Sequence, residues 1–461
     1  MVERRNTRSA RTLARVLSIA TGLAAAALLI QLLAEPVLPG NDTPHANACA
    51  FLRTPHAYEA DSERDTYLKA IEMASANGLF PGDGYFGIPP IEIGPRGRRM
   101  TGAATMPPTL IKAIAWVESQ MTMALSSVPF GAPGPALVSF DCGHGVMQVT
   151  SGMTVPLGGN MPSDRQTSVA THYAYNIARG AAVLAAKWNE APERRPIAGT
   201  DTGSDPHLIE NWYFATWGYN GFTGPGSIGS NHPLDPAFGS WPRAAYRCDG
   251  GQSRTRYPYQ ELVWGCLAQP PTIGGIALWG AVPATLPNLT LTQFFVPLSP
   301  TSFRFPFSAM DIPTPRPAHS DLVPPVDAAF RAQAIGSPRL AVDVRSLTMR
   351  LDGSPEEANG ALLVTNPGTG LLVWQATSDS SWIVLEPPAG VALGSNVDCN
   401  TRHCNPVGRL LVTVNPTLLP QASAAGTIRL HAANVELPDI VVKLEVGASF
   451  EVGAPGISRR D

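Results

Sequence analysis

The chain has 461 residues, 44% of them hydrophobic, which suits two or three domains at about 150 residues each and excludes wholesale disorder. Its 33 Lys and Arg against 36 Asp and Glu give a net charge of -3, so there is no basic footprint for a nucleic acid partner. Glycine (43) and proline (45) together make about 19% of the chain, below the low-complexity range of roughly 25% but enough to require long loops or a linker.

The first residues read as an export signal. Residues 1–15 carry Arg4, Arg5, Arg8, Arg11 and Arg15 against one acid, Glu3, and the 19 residues from 16 to 34 are uncharged. At about 1.5 Å per residue that run just crosses a bilayer core of roughly 30 Å. Residues 1–40 are therefore expected to be a signal peptide or a retained membrane anchor, with the rest of the chain exported to the cell envelope or outside it. Cysteines tend to pair there. Cys399 with Cys404 and Cys248 with Cys266 are the expected local pairs, leaving Cys49 with Cys142, although spacing alone fixes none of them.

From 61 to about 267 the periodic segments read mainly as helices, separated by Gly/Pro loops that include 128–136 and 221–236. Pro107 and Pro108 suit a first helical turn, and Leu110, Ile111, Ile114 and Ala115 mark one apolar face. Glu118 falls on that face, about 40° from Ile114 and about 20° from Ile111 at about 100° per residue. Two arrangements fit: a carboxyl held in the core or in a cleft cut into it, or a packed stem whose carboxylate reaches water. In the first, apolar surroundings disfavour the anion and raise the pKa, as a general acid near neutral pH requires.

Downstream, Gly145 lets the backbone approach a ligand or turn sharply, and Gln148 meets sugar hydroxyls or stabilises its own loop. Asp141 is the candidate for a second acid and equally a turn residue. Cys142 and His144 have no further ligands at a convincing spacing, so no metal site is expected. Ile177, Ala181, Leu184 and Trp188 follow helical spacing, with Asn176 one residue off their stripe. Tyr219 and Asn220 end an aromatic-rich helix (Trp212, Tyr213, Phe214, Trp217), where the phenol either orients Glu118 or packs in the core. Prolines then recur without a period in a segment placed at 273–337, a semi-extended linker. Beyond it, short β-rich runs at 340–351, 361–365, 371–376, 382–385, 410–414, 427–431 and 440–446 indicate a β-sandwich over 338–450.

Taken in order, four groups of residues carry a resemblance. They are Glu118-Ser119, then Gly145-Val146-Met147-Gln148 with Ser139 nine positions before the Gln, then Asn176, Ile177, Gly180 and Leu184, then Tyr219-Asn220. Across roughly residues 105–225 this pattern resembles the lysozyme-like soluble lytic transglycosylases. It departs from them at Val146, Thr150, Val183, Gly218, Gly221 and Phe222, and in the Pro/Gly-rich stretch 121–140.

The resemblance implies a mainly α-helical lysozyme-like domain over 56–272, with Glu118 catalytic and Ser139, Gln148, Asn176, Tyr219 and Asn220 binding substrate. The implied substrate is the peptidoglycan glycan strand, cut between N-acetylmuramic acid and N-acetylglucosamine. Glu118 would protonate the glycosidic oxygen and then, as carboxylate, take the proton of the muramic acid C6 hydroxyl, leaving a 1,6-anhydro sugar without metal or cofactor. The alternatives are a hydrolytic muramidase of the lysozyme type, which uses two carboxylates, and a non-catalytic cell-wall-binding protein.

The 338–448 segment resembles the Ig-like modules called BACON. It does so through Asn366 and Gly368 before Trp374, Ser381-Trp382-Ile383 followed by Pro387 and Gly390, and Ala425-Gly426-Thr427-Ile428. Trp374 and Trp382 are expected in the core of the two-sheet fold. The resemblance implies a spacer or a weak wall-binding role. The expected architecture is thus multidomain, a mainly α-helical lysozyme-like domain followed by an all-β Ig-like sandwich.

Overall fold

The computed structural model describes residues 49–154, 161–222, 229–289, 311–351, 359–398, 404–421 and 423–447, all within one contact unit, His45–Asp461. The expected signal or anchor at 1–40 lies outside the described residues. Among the described residues no helix is long and apolar enough to cross a membrane.

The chain begins with β1 (His56–Glu59), α1 (Asp65–Ser75), the hairpin β2 (Glu92–Ile93) and β3 (Met100–Thr101), α2 (Pro108–Ser119), and β4 (Ala132–Pro135), which pairs antiparallel with β1. Then come α3 (Asp164–Thr171), α4 (Tyr173–Arg194), β5 (Ile197–Ala198), α5 (Tyr213–Tyr219), α6 (Tyr259–Ala268) and the hairpin β6 (Thr272–Ile273) and β7 (Ile276–Ala277). The helix carrying Glu118 is central. Leu110, Ile111, Ala113, Ile114, Ala115 and Val117 are all buried, so α2 is apolar nearly all round, packed against α1 and α6. Pro108 at its first position has no amide hydrogen to leave unpaired. In α4, Ile177, Ala181, Leu184 and Trp188 are buried, as their spacing requires.

Parts of the proline-rich segment pack onto this helical region instead of spanning a gap. β8 (Asp311–Ile312) pairs with β5, and Phe330 of α7 (Ala328–Ala334) is buried. Prolines lack the amide hydrogens a strand ladder needs, and carboxylates do the holding here. The fully buried Glu210 accepts from the amides of Thr285 and His319, and Asp321 accepts from the Thr109 amide at 2.6 Å, capping α2 from a distant part of the chain.

The C-terminal part is all-β. Its strands are β9 (Ala341–Val342), β10 (Ser346–Arg350), β11 (Asn359–Thr365), β12 (Leu371–Ser378), β13 (Ile383–Glu386), β14 (Ala389–Leu393), β15 (Gly408–Val414), β16 (Ala424–Ala432) and β17 (Ile440–Gly447). They form a five-stranded sheet, β10-β17-β16-β12-β14, and a four-stranded sheet, β13-β15-β11-β9. Leu362, Leu410 and Val412 from one sheet meet Leu372, Trp374, Ile428 and Val442 from the other. Trp374 fits because Gly390 and Gly408 flank it: a Cβ on either would lie 2.8 or 2.5 Å from the indole.

One strand explains how the two parts meet. Along β12, Leu372, Trp374 and Ala376 face the sandwich core, while Leu371 and Val373 join the core of the helical region. A strand buried on both faces reads as a continuous apolar run, Leu-Leu-Val-Trp, instead of an alternation. Ala389, Val391 and Leu393 of β14 extend the same shared surface. Polar bonds rim it: Gln375 donates to the Pro162 carbonyl at 3.0 Å, and His431 lies 3.1 Å from Asp164.

Candidate active site

Glu118 is the penultimate residue of α2. Both arrangements open in the sequence are partly realised. The side chain is only partly buried, yet burial of its carboxyl dominates and pushes it up to about 7. The Tyr259 phenol, which donates to Oε1 at 2.6 Å, and the Arg254 guanidinium offset this by favouring the anion, while the negative charge of Asp141 reinforces it. A carboxyl so placed carries a proton at mildly acidic pH and gives it up near neutrality.

The chain leaves α2 sharply, with Gln120 at φ 56 and Met121 at φ 55, both left-handed. The buried carboxylate of Glu59 captures the next turn by accepting from the amides of Met123 (2.8 Å) and Ala124 (2.9 Å). Ser119 follows the acid and ties it to the opposite wall, its hydroxyl donating to the Val146 carbonyl at 2.7 Å.

That wall is the 139–149 loop. Gly145 sits at φ 62, and a Cβ there would lie 2.6 Å from the Met123 sulfur. Gln148, at φ 43, folds its amide back to donate to the Gly145 carbonyl at 2.8 Å and remains partly exposed. Ser139 and Gln148 are brought together, because Ser139 Oγ and Gln148 Oε1 lie 2.6 and 3.0 Å from where a Cβ on Gly143 would stand. Ser139 also donates to Asp141.

Asn176, expected to bind substrate, is occupied within the chain. It is fully buried, and its amide is committed to the chain: Oδ1 accepts from the Met147 amide (2.8 Å), and Nδ2 donates to the carbonyls of His144 (2.7 Å) and Val169 (3.0 Å). It shapes the loop that presents Gln148.

Two roles were open to the Tyr219 phenol, orienting Glu118 or packing in the core. Tyr219 donates to the Met147 carbonyl at 2.8 Å, bracing the same loop, while Tyr259 of α6 takes the acid. Burial holds both phenols well above the usual tyrosine range, with the nearby Glu118 charge adding to it. Asn220 is exposed, and its Oδ1 accepts from Asn231 at 2.7 Å; Asn231 in turn accepts from the Tyr259 amide at 3.2 Å. Asn220 thus reaches the site through Tyr259. Sequence reasoning missed Tyr259, whose only local signal was Tyr-Pro-Tyr at 257–259 before an apolar helix.

The Cys49–Cys142 and Cys248–Cys266 disulfides are formed, and Cys404 is also disulfide-bonded. Cys399 lies outside the described residues. Among the described residues no group of three or more His, Cys, Asp or Glu could hold a metal ion. A cavity of about 490 Å³, lined by Trp116, Val117, Tyr246, Asp249, Gln252 and Arg254 among others, adjoins the end of α2 without including Glu118 itself.

Residues 341–432 match the viral BACON domain family, so the C-terminal part of the chain is a BACON-type Ig-like module. No curated protein matches the chain. Among solved structures, the periplasmic chaperone SfaE is similar at 13% identity, over 25% of this chain and 61% of its own, with a TM-score of 0.20. The Escherichia coli chaperone DraB is similar at 17% identity, over 26% and 59%, with a TM-score of 0.19. A Bacteroides ovatus xyloglucanase in complex with a heptasaccharide is similar at 17% identity, over 24% and 19%, with a TM-score of 0.17. The chain spans less than two thirds of each of these structures.

Proposed function

We propose that the helical region is a lysozyme-like glycan-cleaving domain and that the chain is an exported peptidoglycan lytic transglycosylase. The observation that carries this reading is the Glu118 carboxyl. It stands at a helix end beside the Gln148 loop, is raised to about 7, and is held by the Tyr259 hydroxyl.

In the proposed reaction protonated Glu118 gives its proton to the glycosidic oxygen between N-acetylmuramic acid and N-acetylglucosamine. The resulting carboxylate is steadied by Tyr259 and Arg254 while it takes the proton of the C6 hydroxyl, and the O6–C1 bond closes the 1,6-anhydro ring. Gln148 and Ser139 supply hydrogen-bonding groups toward sugar hydroxyls. The BACON-type module serves as a spacer or weak wall-binding element.

Asp141 favours a second reading. Its charge acts on Glu118, so a second carboxylate is at hand for hydrolysis by delivered water, the muramidase route. Mass spectrometry of muropeptides released by the wild type and Glu118→Gln tests both. Anhydro ends that vanish with Glu118→Gln support the transglycosylase, and reducing ends support the muramidase. Sacculus binding with no Glu118-dependent release means a non-catalytic wall-binding protein.

A further inference from the structure

Phe140 has no part in the reading above. It is 101% exposed, a whole phenyl ring standing in water between Ser139 and Asp141. A single exposed apolar side chain on a loose loop would need no explanation. This loop is not loose. The Ser139 amide donates to the Gly143 carbonyl at 2.9 Å, the Cys142 amide to the Ser139 carbonyl at 3.1 Å, and the Gly143 amide to Ser139 Oγ at 2.8 Å. Cys142 is bonded to Cys49, and the Gly145 amide donates to the Leu137 carbonyl at 3.0 Å. The fold therefore builds a braced turn and places at its tip a ring from which it gains no burial.

The surroundings indicate what the ring meets. Ser119, the residue after the acid, donates to the Val146 carbonyl of this same loop at 2.7 Å, so the loop that carries Phe140 lies against the end of α2, and the Asp141 charge acts on Glu118. Ser139 precedes it in the chain, and the side chains of Ser139 and Gln148 converge on Gly143 of the same turn. A flat aromatic face on a turn that also carries hydrogen-bonding side chains suits a pyranose, which offers a face of C–H groups to the electron-rich ring and hydroxyls around its rim. One ring is too small for a protein interface, and Asp141 would repel an anionic lipid surface.

We propose that Phe140 is a stacking platform for a sugar ring of the glycan strand, seated next to the residue pair that Glu118 cleaves; this rests on the glycan-cleaving reading. The probe is a soluble tetrasaccharide of alternating N-acetylglucosamine and N-acetylmuramic acid, titrated calorimetrically against the full chain carrying Glu118→Gln, which prevents turnover. Adding Phe140→Ala is expected to weaken binding about tenfold. Adding Phe140→Trp is expected to retain binding and to give a saturable fluorescence change absent from the parent. Equal affinity with Phe140→Ala, or a tryptophan whose emission ignores the sugar, overturns the proposal. Cleavage is scored separately with Glu118 intact. Release of muropeptides with a KM that ignores Phe140→Ala sinks the platform alone, whereas Phe140-dependent binding without Glu118-dependent release upholds it and sinks the role of the acid.

Discussion

Tyr259→Phe removes one oxygen and leaves the ring's packing, so it isolates the hydrogen bond to Glu118. The phenol donates to Oε1 at 2.6 Å from a side chain that is 6% exposed, which makes it a short bond to a charged acceptor, shielded from water. Such bonds contribute about 1.5–3 kcal/mol, and about 1.4 kcal/mol corresponds to one pH unit. The bond favours the carboxylate, so its loss must raise the Glu118 carboxyl further, from about 7. Glu118 is only partly buried, so water replaces part of the lost bond, which places the expected rise at the lower end, about one pH unit. A general acid must be protonated to act. The alkaline fall in the rate of muropeptide release, expected near pH 7 in the wild type, therefore moves upward by about one pH unit in Tyr259→Phe, with a lower maximum rate because the acid is less firmly oriented. Asp141→Asn must move the same limb the other way, since it removes a charge that disfavours the anion. A limb that stays in place in Tyr259→Phe, or shifts to lower pH, refutes the assignment.

Three further outcomes are expected. Glu118→Gln should stabilise the fold at pH 8, by about 1–2 kcal/mol after allowance for partial exposure, and by nothing at pH 4, as read by urea denaturation. The sign follows from a carboxyl raised from 4.5 to about 7: the penalty of its anion is absent below the unfolded value, grows as pH rises, and is complete above about 7. Asn176→Ala should cost about 2–4 kcal/mol, because it strands the Met147 amide and the His144 and Val169 carbonyls in the core; Asn176→Asp, which keeps the acceptor but loses both donors, should not restore it. Asp321→Ala should lower stability by about 1 kcal/mol and speed hydrogen exchange at the Thr109 amide, which checks that the proline-rich segment caps α2.

What could be read in advance follows the range over which each signal acts. The strands of the sandwich were legible because short β-rich runs with turn residues between them are a local property, and all seven expected runs overlap observed strands. β14 (Ala389–Leu393) was not, since two prolines precede it and Ala-Gly-Val-Ala carries little β-propensity; its burial on both faces comes from the sandwich core, which Ala392 joins, and from the core of the helical region, which Ala389, Val391 and Leu393 join. The helix start at Pro107 and Pro108 was equally local. Its cap was not, because Asp321 lies 212 residues away and a lone Asp among prolines has no period to betray it.

The site divides the same way. Glu118 and Ser119 were legible from one helical stripe and a short motif, but the acid's working environment is assembled from Tyr259, 141 residues on, and from Arg254 and Asp141 in two other loops. Periodicity placed Glu118 on the apolar face and left open whether its carboxyl stayed there or reached water; it could not tell which phenol would meet it. Tyr219 was the natural guess on motif order, but its hydroxyl is committed to the Met147 carbonyl at 2.8 Å. The two tyrosines thereby divide the work, one bracing the loop that carries Gln148 and the other setting the proton affinity of the acid. Motif order can carry the first function because it is written within the 145–220 stretch. The second depends on α6, and so on the disulfide that ties Cys248 to the Cys266 of that helix and on the Asn220–Asn231 relay that holds the Tyr259 backbone. Within the fourth motif, what this relay draws on is one side-chain carbonyl oxygen for Asn231, which Asn220 supplies.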